Sequence, residues 1–156
     1  MGQRENERLA DLSDAVRESS LKRLRKVPRG QENWRPDKGS MSFADLAQHL
    51  LDCDAHLHRS LQEGPQPPEH GGVGIAEPRT RDAYDALVDA LDLSGAERRE
   101  LIEGIDDLDR VVFDERFGET TVWWVIARGS LDHEIHHRGQ IATYLRQCGS
   151  GDPVPP

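Results

Sequence analysis

Residues 131–140 read LDHEIHHRGQ and lie in the last helix that the sequence predicts. At about 100° per residue, His133 and His137 project from one face of this helix, within about 40° of each other. Side chains four residues apart have Cβ atoms roughly 5 to 6 Å apart, which lets two imidazoles reach one ion. The spacing therefore makes this pair a candidate metal-binding element.

The pair also has a plainer interpretation. The helix is apolar on more than one side, which is typical of burial inside a bundle. A buried imidazole without a partner costs free energy, and either a metal or ordinary hydrogen bonds in the core would supply the partner. Two histidines four residues apart on a buried helix favour the metal over the hydrogen-bonded alternative.

A third ligand has to come from a facing helix, as it does in other helix-bundle metal sites. His49 lies at the shoulder of the apolar stripe on the second predicted helix and is our candidate. His56 occupies the same shoulder two turns further along, and its role stays open. His136 is interpreted as a neighbour of the ligands or an interface group, and two histidines are interpreted as solvated, His58 and His70.

Apolar spacing and helix-end signals predict helices over residues 9–27, 42–63, 80–108 and 120–148. Ser94 and Gly95 leave open whether the third is one bent helix or two. Residues 113–118 are expected to be irregular, and no strand of useful length is predicted. We expect an all-α, up-and-down four-helix bundle with the metal site between helices 2 and 4. It should form one domain over residues 1–149, followed by a disordered tail over 150–156.

Composition excludes several classes of function. The chain has 156 residues and a formal net charge of −9, which disfavours binding to nucleic acid. No apolar run is long enough to span a membrane and the first residues do not resemble a signal peptide, so a cytoplasmic location is expected. Cys53 and Cys148 lie far apart, outside any paired spacing. They are expected to be reduced, part-buried thiols that form neither a disulfide nor a thiolate zinc site.

Three neutral histidines leave further coordination positions for water or substrate, which is the catalytic arrangement of a metal site. Zinc and nickel are the favoured metals, with iron and manganese as alternatives. The same letters also fit HExxH, the zinc metalloprotease motif in which Glu134 would be the general base. After His137 the chain offers neither histidine nor glutamate as a downstream ligand, so the protease is a remote alternative. Glu134 is more simply interpreted as a hydrogen-bonding partner of a neighbouring element.

Three stretches resemble the DinB-like (DinB/YfiT) superfamily of four-helix-bundle metalloproteins. They are HEIHHRGQIATYLRQCG at 133–149, MSFADLAQHLLD at 41–52 and RLRKVPRGQENWRPDKGS at 23–40. The resemblance covers nearly the whole chain in order, and it implies metal ligation by His49, His133 and His137. It also makes a homodimer an expectation.

The resemblance implies an activity less sharply, because similar proteins include thiol transferases, a thiol-dependent isomerase and stress-associated members. The first hypothesis is a divalent-metal-dependent S-transferase that joins a low-molecular-weight thiol to an electrophile. Metal-bound water or thiolate would be the reactive group, and Arg138 and Gln140 are candidates for contacts with an anion or a ligand. Arg138 has a structural alternative, pairing with an acid. The second hypothesis is a non-catalytic, stress-associated protein whose metal holds helices together.

Overall fold

The structure is a computed structural model that describes residues 4–149. Its elements are, in chain order, α1 (Glu5–Leu24), α2 (Phe43–Glu63), α3 (Arg81–Glu103), β1 (Val111–Asp114), β2 (Gly118–Thr121), α4 (Val122–Trp124), a π-helical segment (Val125–Leu131) and α5 (Asp132–Gln147). The last three run into one another and form one continuous helix, here called the last helix. The expected all-α helical bundle is confirmed. The predicted disordered tail lies outside the described residues.

Helix starts follow local capping chemistry. The Ser42 hydroxyl accepts a hydrogen bond from the Asp45 amide at 3.0 Å, and the Asp45 carboxylate accepts one from the Ser42 amide at 2.9 Å. Thr80 caps α3 by accepting from the Ala83 amide at 3.1 Å. Both starts agree with the sequence prediction. The first helix ends at Leu24 rather than at Val27, because the Lys26 and Val27 amides bond carbonyls three residues back, in tighter turns that lead into Pro28.

The third helix is a single one, which decides the alternative that Ser94 and Gly95 left open in the sequence. Both residues serve contacts with other helices. Ser94 Oγ donates to Asp54 at 2.7 Å, and a Cβ on Gly95 would lie 2.8 Å from Cγ of Arg17. Gly95 therefore leaves room for an arginine of α1 to cross the helix.

A β-hairpin replaces the irregular segment expected at residues 113–118. β1 pairs antiparallel with β2, with Val111 opposite Thr121 and Asp114 opposite Gly118. Gly118 has a φ of 74°, which favours glycine at the return of the chain. The strands have four residues each, which is too short for an alternating pattern to stand out in the sequence.

The apolar core forms two clusters at different levels of the bundle. One contains Phe43 and Tyr144, with Trp34 packed 5.5 Å from the Tyr144 ring, so the indole ties its loop to the core as expected. The other contains Leu57 and Ile126. Along each long helix, buried polar residues separate the two clusters, and the candidate site lies at that level.

Candidate metal centre

Two pairs of donor side chains face each other across α2 and α5. His49 and Cys53 lie one helical turn apart on α2, and His133 and His137 lie one turn apart on α5. His133 Nε2 lies 3.0 Å from His137 Nε2 and 3.3 Å from His49 Nε2. The ring centroids of His49 and His137 are 4.9 Å apart. The structure thus brings together the three histidines singled out in the sequence, on the two helices expected to carry them.

Cys53 is a fourth donor that the sequence prediction missed. Its Sγ lies 3.8 Å from both ring nitrogens of His49. Cys53, His49 and His133 place one donor atom each within 4.8 Å of one another. The sequence analysis placed neither cysteine at a metal site, whereas the structure places Cys53 beside the histidines. The available signal was the spacing, since Cys53 follows His49 by four residues, as His137 follows His133.

The distances between donors suit a divalent cation. Two nitrogens bound at about 2.1 Å to one tetrahedral ion are about 3.4 Å apart, and at right angles they are about 3.0 Å apart. The observed separations of 3.0 and 3.3 Å lie in that range. His133 Nε2 lies close to Nε2 of both His49 and His137, and one hydrogen bond cannot join it to both. A shared cation is therefore the better partner.

Burial keeps the imidazoles neutral. It lowers the pKa of His133 to about 3, with His137 and His49 adding to the effect. It lowers the pKa of His137 to about 4 and also lowers that of His49. Neutral imidazoles are the form that binds metals. Burial raises the pKa of the Cys53 thiol to about 12, so without a cation this group is protonated.

Gln140 and Arg138 have different surroundings. Gln140 Oε1 lies 2.5 Å from His137 Nδ1, and because a carbonyl oxygen only accepts, Nδ1 carries the proton. This leaves the lone pair of Nε2 directed at the other histidines, which is the usual support for a ligating imidazole. Arg138 faces α1, where its Nη1 lies 3.4 Å from Ser19 Oγ. Of the two residues expected to contact a ligand, Gln140 therefore lies beside the donors and Arg138 does not.

Glu134 is turned away from the donors. Its carboxylate accepts hydrogen bonds from Arg17 Nε at 2.8 Å and from Arg98 Nη1 at 2.6 Å, and the residue is 1% exposed. The two arginines hold its pKa at about 2, although burial alone would raise it. Glu134 is therefore not positioned as a general base at His133 and His137, which removes the basis of the HExxH metalloprotease alternative.

A cavity of about 260 Å³ opens beside the donors, between α2, the loop after it, the hairpin and the π-helical segment. Cys53 and His133 line it. Its other walls include two apolar residues, Leu57 and Val125. The polar lining includes His56, whose role the sequence left open, His70, which was interpreted as solvated, and two residues that the sequence analysis did not single out, Glu69 and Arg116. Asp114 holds Arg116 at 2.9 Å, so the hairpin places that guanidinium at the cavity wall.

The profile of the DinB superfamily matches residues 12–141 of this sequence. The chain belongs to the DinB superfamily. The uncharacterized protein YjoA of Bacillus subtilis (strain 168) is 24% identical over 126 residues, which are 80% of this chain and 78% of YjoA. The crystal structure of that DinB-like protein matches this DinB chain with a TM-score of 0.70 at 20% identity, covering 95% of this chain and 96% of the other. At this level of identity the likeness concerns the fold.

Other features of the DinB fold complete the surroundings of the centre. The loop after α2 covers His49, and a Cβ on Gly71 would lie 2.9 Å from Cγ of its ring. His136 is exposed, with its ring 5.0 Å from that of His137. His58 is half-buried rather than solvated.

Within residues 4–149, no helix is long and apolar enough to cross a bilayer.

Proposed function

We propose that this protein binds one divalent cation through His49, His133 and His137 and uses it as a thiol-dependent S-transferase. The single observation that carries the proposal is that three neutral imidazoles converge beside a cavity, with His133 in its wall. A closed structural site would not need such a cavity. Imidazole donors suit zinc and nickel best, with iron and manganese as alternatives.

The reaction would join a low-molecular-weight thiol to an electrophile. A bound cation supplies Lewis-acid stabilisation of the thiolate form at neutral pH. The thiol loses its proton, its sulfur forms a bond with an electrophilic carbon, and the leaving group departs with the bonding electrons. Glu69 and His70 line the cavity and would meet the released proton, while Leu57 and Val125 would hold the apolar part of the electrophile.

The test compares metal-free and zinc-loaded or nickel-loaded protein in conjugation of monochlorobimane, with bacillithiol, mycothiol and glutathione offered in turn. We expect activity with at least one thiol, and its loss with the metal in His133→Ala and His49→Ala. His136→Ala is the matched control, because this histidine lies on the same helix turn but is exposed. Undiminished conjugation by metal-free protein would overturn the proposal.

Cys53 favours a second candidate function, a non-catalytic metal-binding protein with a stress-associated role. With Cys53 the centre offers four donors from two facing helices, and four protein ligands are typical of structural zinc. In that case the cation would mainly hold α2 against α5 and add several kcal/mol to stability. Removal of the metal by a chelator should then lower the Tm strongly, and an unchanged Tm would exclude this role.

A further inference from the structure

The donors differ in their access to the cavity. Cys53 and His133 line it, whereas His49 and His137 lie behind them, 3% and 5% exposed. Any molecule that reaches the centre from the cavity therefore meets Cys53 or His133 before the other two donors. Of these two, Cys53 is the sulfur donor, so an incoming thiol that took its place on the cavity side would replace one sulfur ligand with another.

We propose that Cys53 is a ligand of the cation, holds the cavity-facing coordination position in the resting protein, and is displaced there by the incoming thiol. This inference rests on the proposed metal centre and defines how that centre is closed and opened. It joins the two candidate functions, because the same four donors would give a closed site at rest and an open one with substrate.

The geometry around Cys53 supports ligation. Sulfur bound at about 2.3 Å and nitrogen at about 2.1 Å to one tetrahedral ion are about 3.6 Å apart. Sγ of Cys53 lies 3.8 Å from Nε2 of His49. The other two separations, 3.3 Å from His49 to His133 and 3.0 Å from His133 to His137, are close to the corresponding values for nitrogen pairs. These contacts join the four donors in a chain from Cys53 to His137, and one donor atom each of Cys53, His49 and His133 lies within 4.8 Å of the other two.

The exchange of ligands is balanced without an added base. On ligating the cation, Cys53 would release its thiol proton to solvent. On exchange, the incoming thiol loses its proton and binds as thiolate, while the released Cys53 sulfur takes up a proton. The net charge at the centre would be unchanged, because one thiolate replaces another.

The decisive protein is Cys148→Ser, because the chain has two cysteines and this variant keeps Cys53 alone. The half-buried Cys148 lies at the end of α5 and its thiol contacts the Leu145 carbonyl, away from the centre. Metal-free protein is loaded with Co²⁺ without air, in buffer whose reductant is a phosphine. We expect visible ligand-field bands from the bound cobalt and a near-ultraviolet thiolate-to-cobalt charge-transfer band. Cys53→Ser should keep the ligand-field bands and lose the charge-transfer band.

The outcomes separate this inference from the proposed function. Ligand-field bands without the charge-transfer band in Cys148→Ser would overturn ligation by Cys53 while leaving the metal centre intact. Failure to bind cobalt at all would overturn both. Conjugation activity is a separate readout, so loss of turnover with an intact charge-transfer band would count against the transferase alone.

Exchange is tested in the same cobalt-loaded Cys148→Ser protein with benzeneselenol. A selenolate-to-cobalt band lies at longer wavelength than a thiolate band, so the two ligands are distinguishable. We expect the selenolate band to appear as the Cys53 band disappears. A thiolate band that persists at saturating selenol would overturn the displacement step, and both bands together would show an added ligand in place of an exchanged one.

Discussion

His133 and Glu134 are adjacent in the chain, and their side chains project from different faces of the last helix, about 100° apart. His133 Nε2 lies 3.0 Å from His137 Nε2 in the candidate metal centre, whereas Glu134 Oε2 accepts from Arg98 Nη1 at 2.6 Å. Arg17 joins the same carboxylate and also Asp54, which follows Cys53. Two arginines and two carboxylates thus connect α1, α2, α3 and α5 directly behind the donors.

Glu134→Gln should destabilise the protein by about 3 to 5 kcal/mol, because it leaves two buried guanidiniums with one carboxylate. Chemical denaturation followed by circular dichroism measures this. The matched control is Asp132→Asn, which breaks an exposed ion pair with Arg128 on the same helix and should cost no more than about 0.5 kcal/mol. Equal stability of the two variants would contradict a structural role for the buried network.

Gln140→Leu should weaken the binding of zinc by about 10- to 100-fold, since the side chain no longer fixes the tautomer of His137. Arg138→Gln is the control two residues earlier and should leave the affinity nearly unchanged, because Arg138 contacts Ser19 on α1. Competition with a chromophoric chelator measures both affinities. A larger loss of zinc affinity in the Arg138 variant would mean that this side chain, and not Gln140, supports the centre.

Asp45 predicts a dependence of stability on pH. The residue is buried, and burial would raise its pKa, but hydrogen bonds from the backbone of Ser42, Ala76 and Gly74 hold it below the ordinary value of 3.8. A carboxyl group with a lowered pKa in the folded state stabilises the protein above the pKa of the unfolded chain. That stabilisation is lost as the pH falls through the folded-state value.

Asp45→Asn should therefore lower the free energy of unfolding at pH 7 by about 1 to 3 kcal/mol, the range for hydrogen bonds to a buried charged group. The difference in the free energy of unfolding between the variant and the unmodified protein should hold down to about pH 5 and shrink below about pH 4. Urea unfolding at several pH values checks this. Asp89→Asn, at an exposed pair with Arg25, is the control, and a difference that grows in acid would refute the assignment to Asp45.

Local signals made much of the bundle predictable. Ser42 and Thr80 start helices because an N-cap depends on residues three positions away, and His133 and His137 meet because one helix turn joins them. The hairpin was missed because strands of four residues carry too little pattern. The π-helical segment has no sequence signature of its own. In the structure, the Asp132 amide at its end donates to the Ala127 carbonyl five residues back.

Long-range contacts explain what the sequence did not show. Arg17 and Glu134 lie 117 residues apart, so a motif within one helix could not pair them. Cys53 was judged by the spacing of cysteine pairs, whereas its neighbour in the site is a histidine on its own helix. Apolar spacing placed His49 and His56 on the same shoulder. In the structure His49 lies beside the other donors. His56 lines the cavity, and its Nε2 lies 3.4 Å from Oγ of Ser60.

Gly71 gives a test of how the loop after α2 supports the centre. A Cβ at this position would lie 2.7 Å from Sδ of Met41 and 2.9 Å from Cγ of the His49 ring. Met41 is flexible, but the imidazole cannot move without leaving the other donors. Gly71→Ala should therefore cost about 1 to 3 kcal/mol of stability, as overpacking does, and should also weaken zinc binding.

Gly72→Ala is the matched control, because its Cβ would meet only Cγ2 of Ile75 at 3.2 Å within the contacts that the structure describes. We expect Gly72→Ala to bind zinc like the unmodified protein, since Ile75 can shift without touching a donor. Chelator competition and thermal unfolding, each with and without zinc, separate the two effects. If Gly71→Ala loses stability but keeps its affinity, the loop packs on α2 without positioning His49. If only the affinity falls, the contact with the imidazole ring is the one that matters, because displacement of Met41 alone would act on stability in both forms.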